Sequence, residues 1–310
     1  MDKPLFSVVI TAYNQEEYIV QALDSIIDQK HNYPYEIIAA DDFSTDNTRQ
    51  VLLEYKEKYP DIIKLLLNET NIGLIENYFN ALGYCSGKYI MQLADDDYWL
   101  PGTVTLQIPF MEEHPDVGMC YGRMQYWYEE EKKFGEIAGS ETVTVSELMK
   151  SNDIPANAIC IRNELVKNYI QEINPVEKKW YCEDYPMWFW VAYNSKIHFM
   201  DTLIAIYRIR KESIAHTQNK EKELMIYSHL IDIRKFYSNL YNIQLFIDDI
   251  KLITKKIIKT KKCLSYKEYL QYRELLLLSE KKWYIRSIIK TLLNKSYFNF
   301  KLFSFIKRKK

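Results

Sequence analysis

The chain has 310 residues, of which 47% are hydrophobic and 27% charged, and its formal net charge is −1. This length and composition predict one large globular domain, or one domain with an appendage, and exclude a disordered chain. The five cysteines are scattered without a C-x-x-C pair, which excludes a disulfide framework and favours a reducing cytosol.

The N-terminal segment MDKPLFSVVITAYN reaches an apolar strand within a few residues and lacks the features of a secretory signal. Residues 6–12 (FSVVITA) are almost uninterruptedly apolar, as in a strand that is buried on both faces of a parallel sheet. Apolar residues at helical spacing follow in YIVQALDSIIDQ. No apolar run approaches the roughly 18 residues of a membrane-spanning helix.

Strand, loop and helix patterns alternate after this first unit. EIIAA predicts a second strand, DDFSTDNT a polar loop with helix-capping residues, and TRQVLLEYKEKY a second helix. IKLLL and KYIMQL predict two more strands, with the helical LIENYFNALGYC between them. Such alternation predicts a parallel α/β sheet, in which ligands bind at the carboxyl ends of the strands. The loops TAYNQE, DDFSTD and DDD are therefore expected to converge on one cleft.

Three consecutive carboxylates, Asp95, Asp96 and Asp97, follow the fourth predicted strand. Like charges this close raise one another's cost of ionisation, so water, cationic side chains or a metal must compensate for them. Two interpretations stay open at this point: a solvated acidic turn, or a site for a divalent cation.

The pattern is less regular after residue 102. VGMCYGRMQYW predicts a strand that enters a mobile polar stretch, YEEEKKFGEIAGSETVT, and PANAICIR predicts a strand that returns to the core. Beyond residue 221 the sequence is helical, and the polar HTQNKEKE before it marks a boundary near residue 218. We therefore predict two domains, 1–218 and 219–310.

The last sixty residues are strongly basic. Residues 251–310 contain 18 Lys and Arg against 3 Glu, a net charge of +15, which leaves −16 for the rest of the chain. WYIRSIIKTLLNKSYFNFKLFSFIKRKK combines an apolar stripe with basic residues, as helices at anionic membrane surfaces do. A helical cap on the acidic domain and an oligomerisation element are the alternatives. A nucleic-acid partner is not expected, because no recognition motif accompanies the charge.

Four segments, in order, match a known protein family: SVVITAYNQEEYIVQALDSIIDQ, YEIIAADDFSTDNT, NIGLIENYFNALGYCSGKYIMQLADDDYW and YCEDYPMWFWVAYNSKIHFMDTLIAIYRIR. Together they resemble family 2 glycosyltransferases, inverting enzymes with the GT-A fold that binds nucleotide-diphospho-sugars. The resemblance covers residues 5–215 and not the basic tail. It implies a Rossmann-like mixed sheet, mainly parallel, and transfer of a sugar to a hydroxyl group.

The resemblance also implies a nucleotide pocket. Asp42 matches a carboxylate that accepts a hydrogen bond from a pyrimidine ring N–H, a contact that suits an acceptor-only group. Tyr13 can lie against the base, and Arg210, where family members commonly have His, is suited to pairing with phosphate. The implied nucleotide-binding set is Thr11, Tyr13, Glu16, Asp42, Asn71, Asp95, Arg208 and Arg210. For Asp42 by itself, a favourable charge at a helix N-terminus is the alternative.

The segment ADDDYW matches the family's D-x-D region, in which hard oxygen ligands hold Mg²⁺ or Mn²⁺ against two phosphates. The sequence departs from this pattern, because aligning DDYW places Ala94 at the first aspartate of D-x-D. We therefore expect Asp96 to be the direct metal ligand, with Asp97 in support. Asp95 then fills the middle place, beside the nucleotide.

An inverting transfer needs a base that removes the proton of the attacking hydroxyl. The family places it in an E-D pair, here Glu183 and Asp184, and we assign Asp184 as the base and Glu183 as its neighbour or acceptor contact. Capping of the helix YPMWFWVAY is the alternative for both. Trp180, Tyr181, Trp188 and Trp190 are available for stacking on sugar rings, but their helical spacing places most of them in the core.

The sequence thus predicts a metal-dependent inverting glycosyltransferase that uses a UDP-sugar or similar donor and a glycan or lipid-linked acceptor in bacterial surface polysaccharide assembly. It is expected in the cytoplasm, on the inner face of the membrane, and could form a homo-oligomer. The rival, motivated by Ala94, is a non-catalytic sugar-nucleotide-binding or scaffold protein of the same fold. A nucleotidyltransferase is disfavoured, because no Gly-rich phosphate loop lies near the first strand.

Overall fold

The computed structural model describes residues 3–211 and 220–243, and the chain divides into two units between residues 217 and 218. The strands are β1 (Phe6–Ala12), β2 (Tyr35–Asp41), β3 (Ile63–Leu67), β4 (Tyr89–Ala94), β5 (Tyr98–Trp99), β6 (Val117–Tyr128), β7 (Lys133–Ala138), β8 (Ile159–Arg162) and β9 (Lys196–Ile209). The helices of the first unit are α1 (Ile19–Ile27), α2 (Thr48–Lys58), α3 (Leu74–Gly83), α4 (Thr103–Glu113), α5 (Val145–Leu148), α6 (Asn163–Ile173), α7 (Pro175–Lys178) and α8 (Asp184–Asn194), with a 3₁₀ turn at Ala156–Ala158. Helix α9 (Lys220–Tyr241) belongs to the second unit.

All of these strands form one mixed sheet in the order β3-β2-β1-β4-β8-β6-β9-β5, with β7 paired to β6. Strands β1 to β4 are mutually parallel, whereas β8 is antiparallel to β4 and β6. Strand β9 runs parallel to β6 and carries the short antiparallel β5 at its other side. The predicted mixed, mainly parallel α/β sheet is confirmed.

The first strand shows why the parallel half forms. Successive residues of a strand point to opposite faces, yet Phe6, Val8, Val9 and Ile10 are each at most 1% exposed. Both faces are therefore covered, which explains the unbroken apolar sequence. Each buried aliphatic side chain contributes about 1.5 to 3 kcal/mol relative to an exposed one, so this part of the sheet is a stable frame.

The polar loops of the parallel half emerge side by side. In the sheet register, Thr11 of β1 lies between Ala40 of β2 and Ala94 of β4. The residues that follow these strands therefore meet at one edge of the sheet, as the sequence predicts. This edge is the floor of the candidate site.

Residues 133–138 differ from the sequence prediction. The stretch after Trp127 was expected to be irregular, but β7 forms there and pairs antiparallel with β6. The two strands are joined by a cross-strand contact between Trp127 and Phe134, whose ring centres are 4.8 Å apart. Because β7 is largely exposed, its residues lack the apolar alternation that reveals a half-buried strand.

The predicted basic amphipathic segment after residue 282 lies outside the described residues. Within 3–211 and 220–243, no helix is both long enough and apolar enough to cross a membrane.

Candidate active site

The first loop and the acidic loop (Asp95–Asp97) are joined directly. The backbone N–H of Tyr13 donates to Oδ2 of Asp95 at 2.9 Å, and the Tyr13 side chain itself is 46% exposed. Thr11, at the end of β1, is partly exposed beside them. The structure therefore brings three of the predicted nucleotide-binding residues to one place and leaves the Tyr13 ring accessible.

Asp42 anchors the loop that leads into α3. Its Oδ1 accepts from the N–H of Ile72 at 2.8 Å, its Oδ2 from the N–H of Gly73 at 2.8 Å, and the Asn68 amide donates to Oδ1 at 3.1 Å. The side chain of Asn71 donates to the Asp42 carbonyl at 3.2 Å. A carboxylate offers about four acceptor positions, so one stays available for a pyrimidine N–H, and that contact remains a prediction.

We expect Asp42→Ala to weaken UDP binding by about 1 to 3 kcal/mol, the usual cost of losing a charged hydrogen-bond partner. The free energy of unfolding should also fall, because Ile72 and Gly73 lose their acceptor. Calorimetric titration with UDP measures the first effect and urea unfolding the second. Glu69→Ala is the matched control, because Glu69 is an exposed acidic residue of the loop that Asp42 anchors. Undiminished UDP affinity in folded Asp42→Ala protein would contradict the assignment.

Glu16 turns toward the start of α2. Its Oε2 accepts from both the backbone N–H and the side-chain amide of Asn47, at 2.7 and 2.6 Å. Glu16 lines a cleft of about 360 Å³ together with its neighbours in residues 14–18, Asp46, Glu130, Arg210 and Lys211. The structure thus gives Glu16 a loop-fixing contact at the rim of this cleft, and direct binding of the nucleotide stays a prediction.

The three aspartates of the acidic loop have different partners. Oδ2 of Asp96 accepts from Nη2 and Nε of Arg210 at 2.8 and 3.0 Å. Asp97 is buried, and its two oxygens accept from the N–H of Arg208 and the amide of Asn157, both at 2.9 Å. Burial, and then the charge of Asp96, raises the pKa values of Asp95 and Asp97 well above the ordinary value. The hydrogen bonds and the ion pair made by the protein therefore offset only part of the negative charge of the acidic loop.

The acidic loop fits a divalent cation that arrives with a diphosphate. The Asp96 carboxylate is 17% exposed, and Arg210 is its single cationic partner in the described ion pairs. Among residues 3–211 and 220–243, no group of three or more His, Cys, Asp or Glu is placed to hold a metal, so phosphate and water would complete the coordination. Asp96, with Asp95 beside it, would hold the Mn²⁺ or Mg²⁺, which when bound supplies a Lewis acid that neutralises the leaving group.

Asp97 is buried, and its predicted supporting role at the metal stays a prediction. Each of its oxygens accepts one hydrogen bond in the interior, where they tie the acidic loop to β9 and to the 3₁₀ turn. A metal at Asp97 would have to share these oxygens with the Arg208 N–H and the Asn157 amide. We assign Asp97 to positioning the loop.

Arg208 is likewise held inside the protein. Its Nε donates to the Asp96 carbonyl at 2.7 Å, Nη1 pairs with Glu129, and Nη2 donates to Gln21. Burial opposes ionisation of Glu129, but hydrogen bonds from Lys132, Trp127 and Arg208 lower its pKa to about 2. With all three nitrogens engaged, Arg208 positions the acidic loop, whereas Arg210, which is paired with Asp96, lines the cleft beside Glu16. Sequence reasoning missed Glu129, which stands in an unremarkable run of glutamates.

The carboxyl pair (Glu183 and Asp184) lies at the start of α8. Both side chains are partly exposed, and Asn152 donates to Oδ2 of Asp184 at 3.4 Å. Burial raises both pKa values, and with the charge of Asp184 it brings that of Glu183 to about 7. Glu183 is the N-cap residue but makes no side-chain capping bond, whereas Asp184 accepts a hydrogen bond from the N–H of Tyr185 in the first turn, so the capping alternative still applies to Asp184. Behind the pair, Trp188 and Trp190 are buried in the core, as expected.

Tyr207 of β9 connects the two acidic groups. Burial raises the pKa of its phenol, and the charges of Asp97, Asp96 and Asp184 raise it further. The charges of all three carboxylates therefore act on the same phenol. The acidic loop and the carboxyl pair, 87 residues apart between Asp97 and Asp184 in sequence, both lie near Tyr207.

Comparison with known sequences decides the family. The profile described as Glycosyl transferase family 2 matches residues 7–162, half of the chain. The chain belongs to glycosyltransferase family 2. The matched segment contains the acidic loop and Asp42, while the carboxyl pair lies beyond it.

Relatives and solved structures agree with this assignment. An uncharacterized protein of Mycobacterium tuberculosis is 30% identical over 216 residues, 68% of this chain and 60% of that relative. The Escherichia coli enzyme WfgD, named a UDP-Glc:alpha-D-GlcNAc-diphosphoundecaprenol beta-1,3-glucosyltransferase, is 28% identical over 227 residues, 72% of this chain and 84% of the enzyme. Thus the chain spans only part of the mycobacterial relative.

The fold is shared with glycosyltransferases of known structure. Staphylococcus aureus TarS 1–349 in complex with UDP superposes with a TM-score of 0.53 at 20% identity, over 81% of this chain and 80% of that one. The mannosyltransferase PcManGT of Pyrobaculum calidifontis, solved with GDP-Man and Mn²⁺, gives 0.55 at 14% identity, over 94% and 86%. The predicted GT-A fold is confirmed.

Proposed function

We propose that the protein is a metal-dependent, inverting glycosyltransferase that moves a sugar from a nucleotide-diphospho-sugar to a hydroxyl group of a glycan or lipid-linked acceptor. The observation that carries this proposal is the convergence on Tyr207 of two acidic groups with different tasks. Asp96 is suited to a cation and Asp184 to a proton. Direct displacement needs both: charge neutralisation at the leaving diphosphate and a base at the attacking hydroxyl.

The donor we propose is a UDP-sugar. Support comes from the UDP-Glc in the name of WfgD and from the UDP complex of TarS, although the archaeal neighbour was solved with GDP-Man. In this chain, the free acceptor position of Asp42 and the exposed Tyr13 ring suit a pyrimidine base. Thermal stabilisation by a panel of UDP-, GDP- and TDP-sugars with Mn²⁺ tests the choice, since a ligand of the folded state raises apparent stability. Stabilisation by GDP-sugars alone would overturn it.

The acceptor we propose is lipid-linked, and the place of action is the inner face of the cell membrane, in the assembly of a bacterial surface polysaccharide. WfgD is named for a diphosphoundecaprenol-linked acceptor, and the net charge of +15 in residues 251–310 favours contact with anionic lipid. These basic residues lie outside the described part of the structure. Flotation of the protein with phosphatidylglycerol vesicles, against phosphatidylcholine vesicles, tests the attachment.

Transfer should become faster as the pH rises, because the base must be ionised and burial raises the pKa values of Glu183 and Asp184. A carboxyl accepts a proton only when ionised, so the rate rises as the pH rises through the pKa of the carboxyl pair, with Glu183 at about 7. The facing phenols of Tyr78 and Tyr207 have raised pKa values and stay neutral in this range. The measurement is kcat/KM for the acceptor from pH 5 to 9, with UDP affinity as the control. A flat profile between pH 5 and 8 would contradict the assignment.

The competing proposal is a protein of the same fold that binds sugar nucleotides without transferring sugar, favoured by Ala94 in the D-x-D region. It predicts UDP binding without donor turnover under any metal. Release of UDP from a nucleotide sugar, and its loss in EDTA, separates the two proposals.

A further inference from the structure

Three tyrosines extend from the carboxyl pair along the outer strands of the sheet. In the register of β6 and β9, Tyr126 lies opposite Tyr207, and their ring centres are 5.8 Å apart, edge to face. Cross-strand partners point to the same face, and Tyr128 shares this face two residues further on. All three side chains are partly exposed.

Gly135 of β7 shows that Tyr126 and Tyr128 share a face. A Cβ atom added at Gly135 would lie 2.4 Å from the Tyr128 ring and 3.3 Å from Cβ of Tyr126. The Tyr128 ring thus rests on the bare backbone of Gly135, where the register between β6 and β7 shifts. Tyr126 and Tyr128 are about 7 Å apart along β6, which is the rise of two residues in an extended strand.

Polar groups accompany this aromatic row. The hydroxyl of Tyr128 donates to Glu136 at 3.3 Å, and Tyr126 is close enough to Glu136 and Asp153 for their charges to raise its pKa, after burial. The loop of residues 151–153 connects the row to the carboxyl pair, because Asn152 donates to Asp184. Residues 151–153 therefore lie near both Tyr126 and the proposed catalytic base.

This combination is the chemistry that recognises carbohydrate. A sugar ring presents a C–H face that packs on an aromatic ring, and hydroxyl groups around its edge that bond to carboxylates and amides. The buried Trp188 and Trp190 cannot offer such a surface. Tyr126 and Tyr128 present two such rings in succession along one strand.

We propose that Tyr207, Tyr126 and Tyr128 form an acceptor strip that holds two consecutive sugar units, with the attacking hydroxyl at the Glu183–Asp184 end. The assignment deepens the proposed function and rests on it for the direction of the acceptor. It makes the acceptor a chain of at least two sugars, which a lipid can carry. Tyr207 contacts the reacting unit, and Tyr128 the unit behind it.

Saturation-transfer NMR of the full chain with UDP and Mn²⁺ tests the strip. The probes are cellobiose, maltose and N,N′-diacetylchitobiose, each against its monosaccharide. The wild type should bind at least one disaccharide more tightly than its monosaccharide. Tyr128→Ala should weaken the binding of that disaccharide by about 3- to 10-fold, the range for losing one aromatic contact, and leave monosaccharide binding unchanged. Gly135→Ala should weaken disaccharide binding to a similar extent although it removes no aromatic ring, because the added methyl group would displace the Tyr128 ring.

The control is Phe134→Ala, a 53% exposed aromatic residue of the same hairpin that packs on Trp127 instead. Its disaccharide binding should equal that of the wild type. Any of three results would overturn the strip. Phe134→Ala could lose as much disaccharide binding as Tyr128→Ala, folded Tyr128→Ala could bind disaccharide unchanged, or the wild type could show no preference for any disaccharide. UDP release is measured in parallel, so that the strip and the proposed function can fail separately. If the protein binds disaccharide through the strip but releases no UDP from any donor, only the proposed function is overturned.

Discussion

Asp184→Asn is expected to lower sugar transfer by about 10²- to 10⁴-fold, the range for losing a general base, while folding and UDP affinity survive. The substitution keeps the shape of the side chain and removes its basicity. The Asp184 carboxyl is partly exposed and accepts hydrogen bonds from the Asn152 amide at 3.4 Å, from the Tyr185 N–H and from Cys182. The oxygen of an Asn side chain can still accept from such donors, so the fold should tolerate the change. Transfer kinetics with a saturating donor measure the effect, and circular dichroism and UDP titration check folding and binding.

The capping interpretation predicts a different result. Asn caps a helix about as well as Asp, so a purely structural Asp184 would tolerate the change with almost no loss of activity. Near-parental transfer by a folded, donor-binding variant would therefore remove Asp184 from catalysis. Glu183→Gln is then the matched experiment, because Glu183, with a pKa of about 7, is the next candidate for the base.

Asp96→Asn is expected to remove most of the transfer activity, by about 10²-fold or more, together with the metal dependence of UDP binding. Neutralisation of a leaving diphosphate by a bound cation is worth several kcal/mol in the transition state, and Asp96 is the carboxylate of the acidic loop that combines partial exposure with a cationic partner, Arg210. Calorimetric titration with UDP, with and without Mn²⁺, gives a readout that does not depend on turnover.

Asp97→Asn is the matched control for this prediction. Because Asp97 accepts two buried hydrogen bonds from the protein, its substitution should lower the free energy of unfolding by about 1 to 3 kcal/mol and leave the metal dependence of UDP affinity intact. If Asp96→Asn kept full turnover and Asp97→Asn lost metal dependence, the two roles would have to be exchanged.

Local patterns in the sequence were enough to predict the parallel half of the sheet. Strands β1 and β4 are buried on both faces, so their apolar runs are nearly unbroken, and the polar residues after them mark where the strands end. Since parallel strands end at the same edge, the meeting of the first loop with the acidic loop followed from topology. The Tyr13–Asp95 hydrogen bond is the outcome.

The tasks of single charged residues could not be predicted in this way. Asp96 and Asp97 are neighbours with the same side chain, and they differ because Arg208 and Arg210, more than 100 residues later, meet different atoms of the loop. Glu129, which holds Arg208, lies in the turn that follows β6. Such partnerships depend on the pairing of β6 with β9, which leaves no periodic signal near the aspartates.

The aromatic row was hidden for a related reason. Sequence reasoning singled out four aromatic residues near Glu183 and Asp184 for stacking on sugars, but helix α8 turns two of them, Trp188 and Trp190, into the core. Tyr126 meets Tyr207 only because β6 pairs with β9 in a register that places the two opposite each other.

Release of UDP from nucleotide sugars tests the central claim most directly. The intact protein is incubated with UDP-glucose, UDP-N-acetylglucosamine and UDP-galactose in Mn²⁺, and free UDP is measured with and without EDTA and with a disaccharide acceptor. We predict that at least one donor releases UDP, faster when acceptor is present, and that EDTA and Asp96→Asn both stop the release. A folded protein that binds UDP but releases none from any donor, with or without Mn²⁺, would contradict the account and leave a sugar-nucleotide-binding protein in its place.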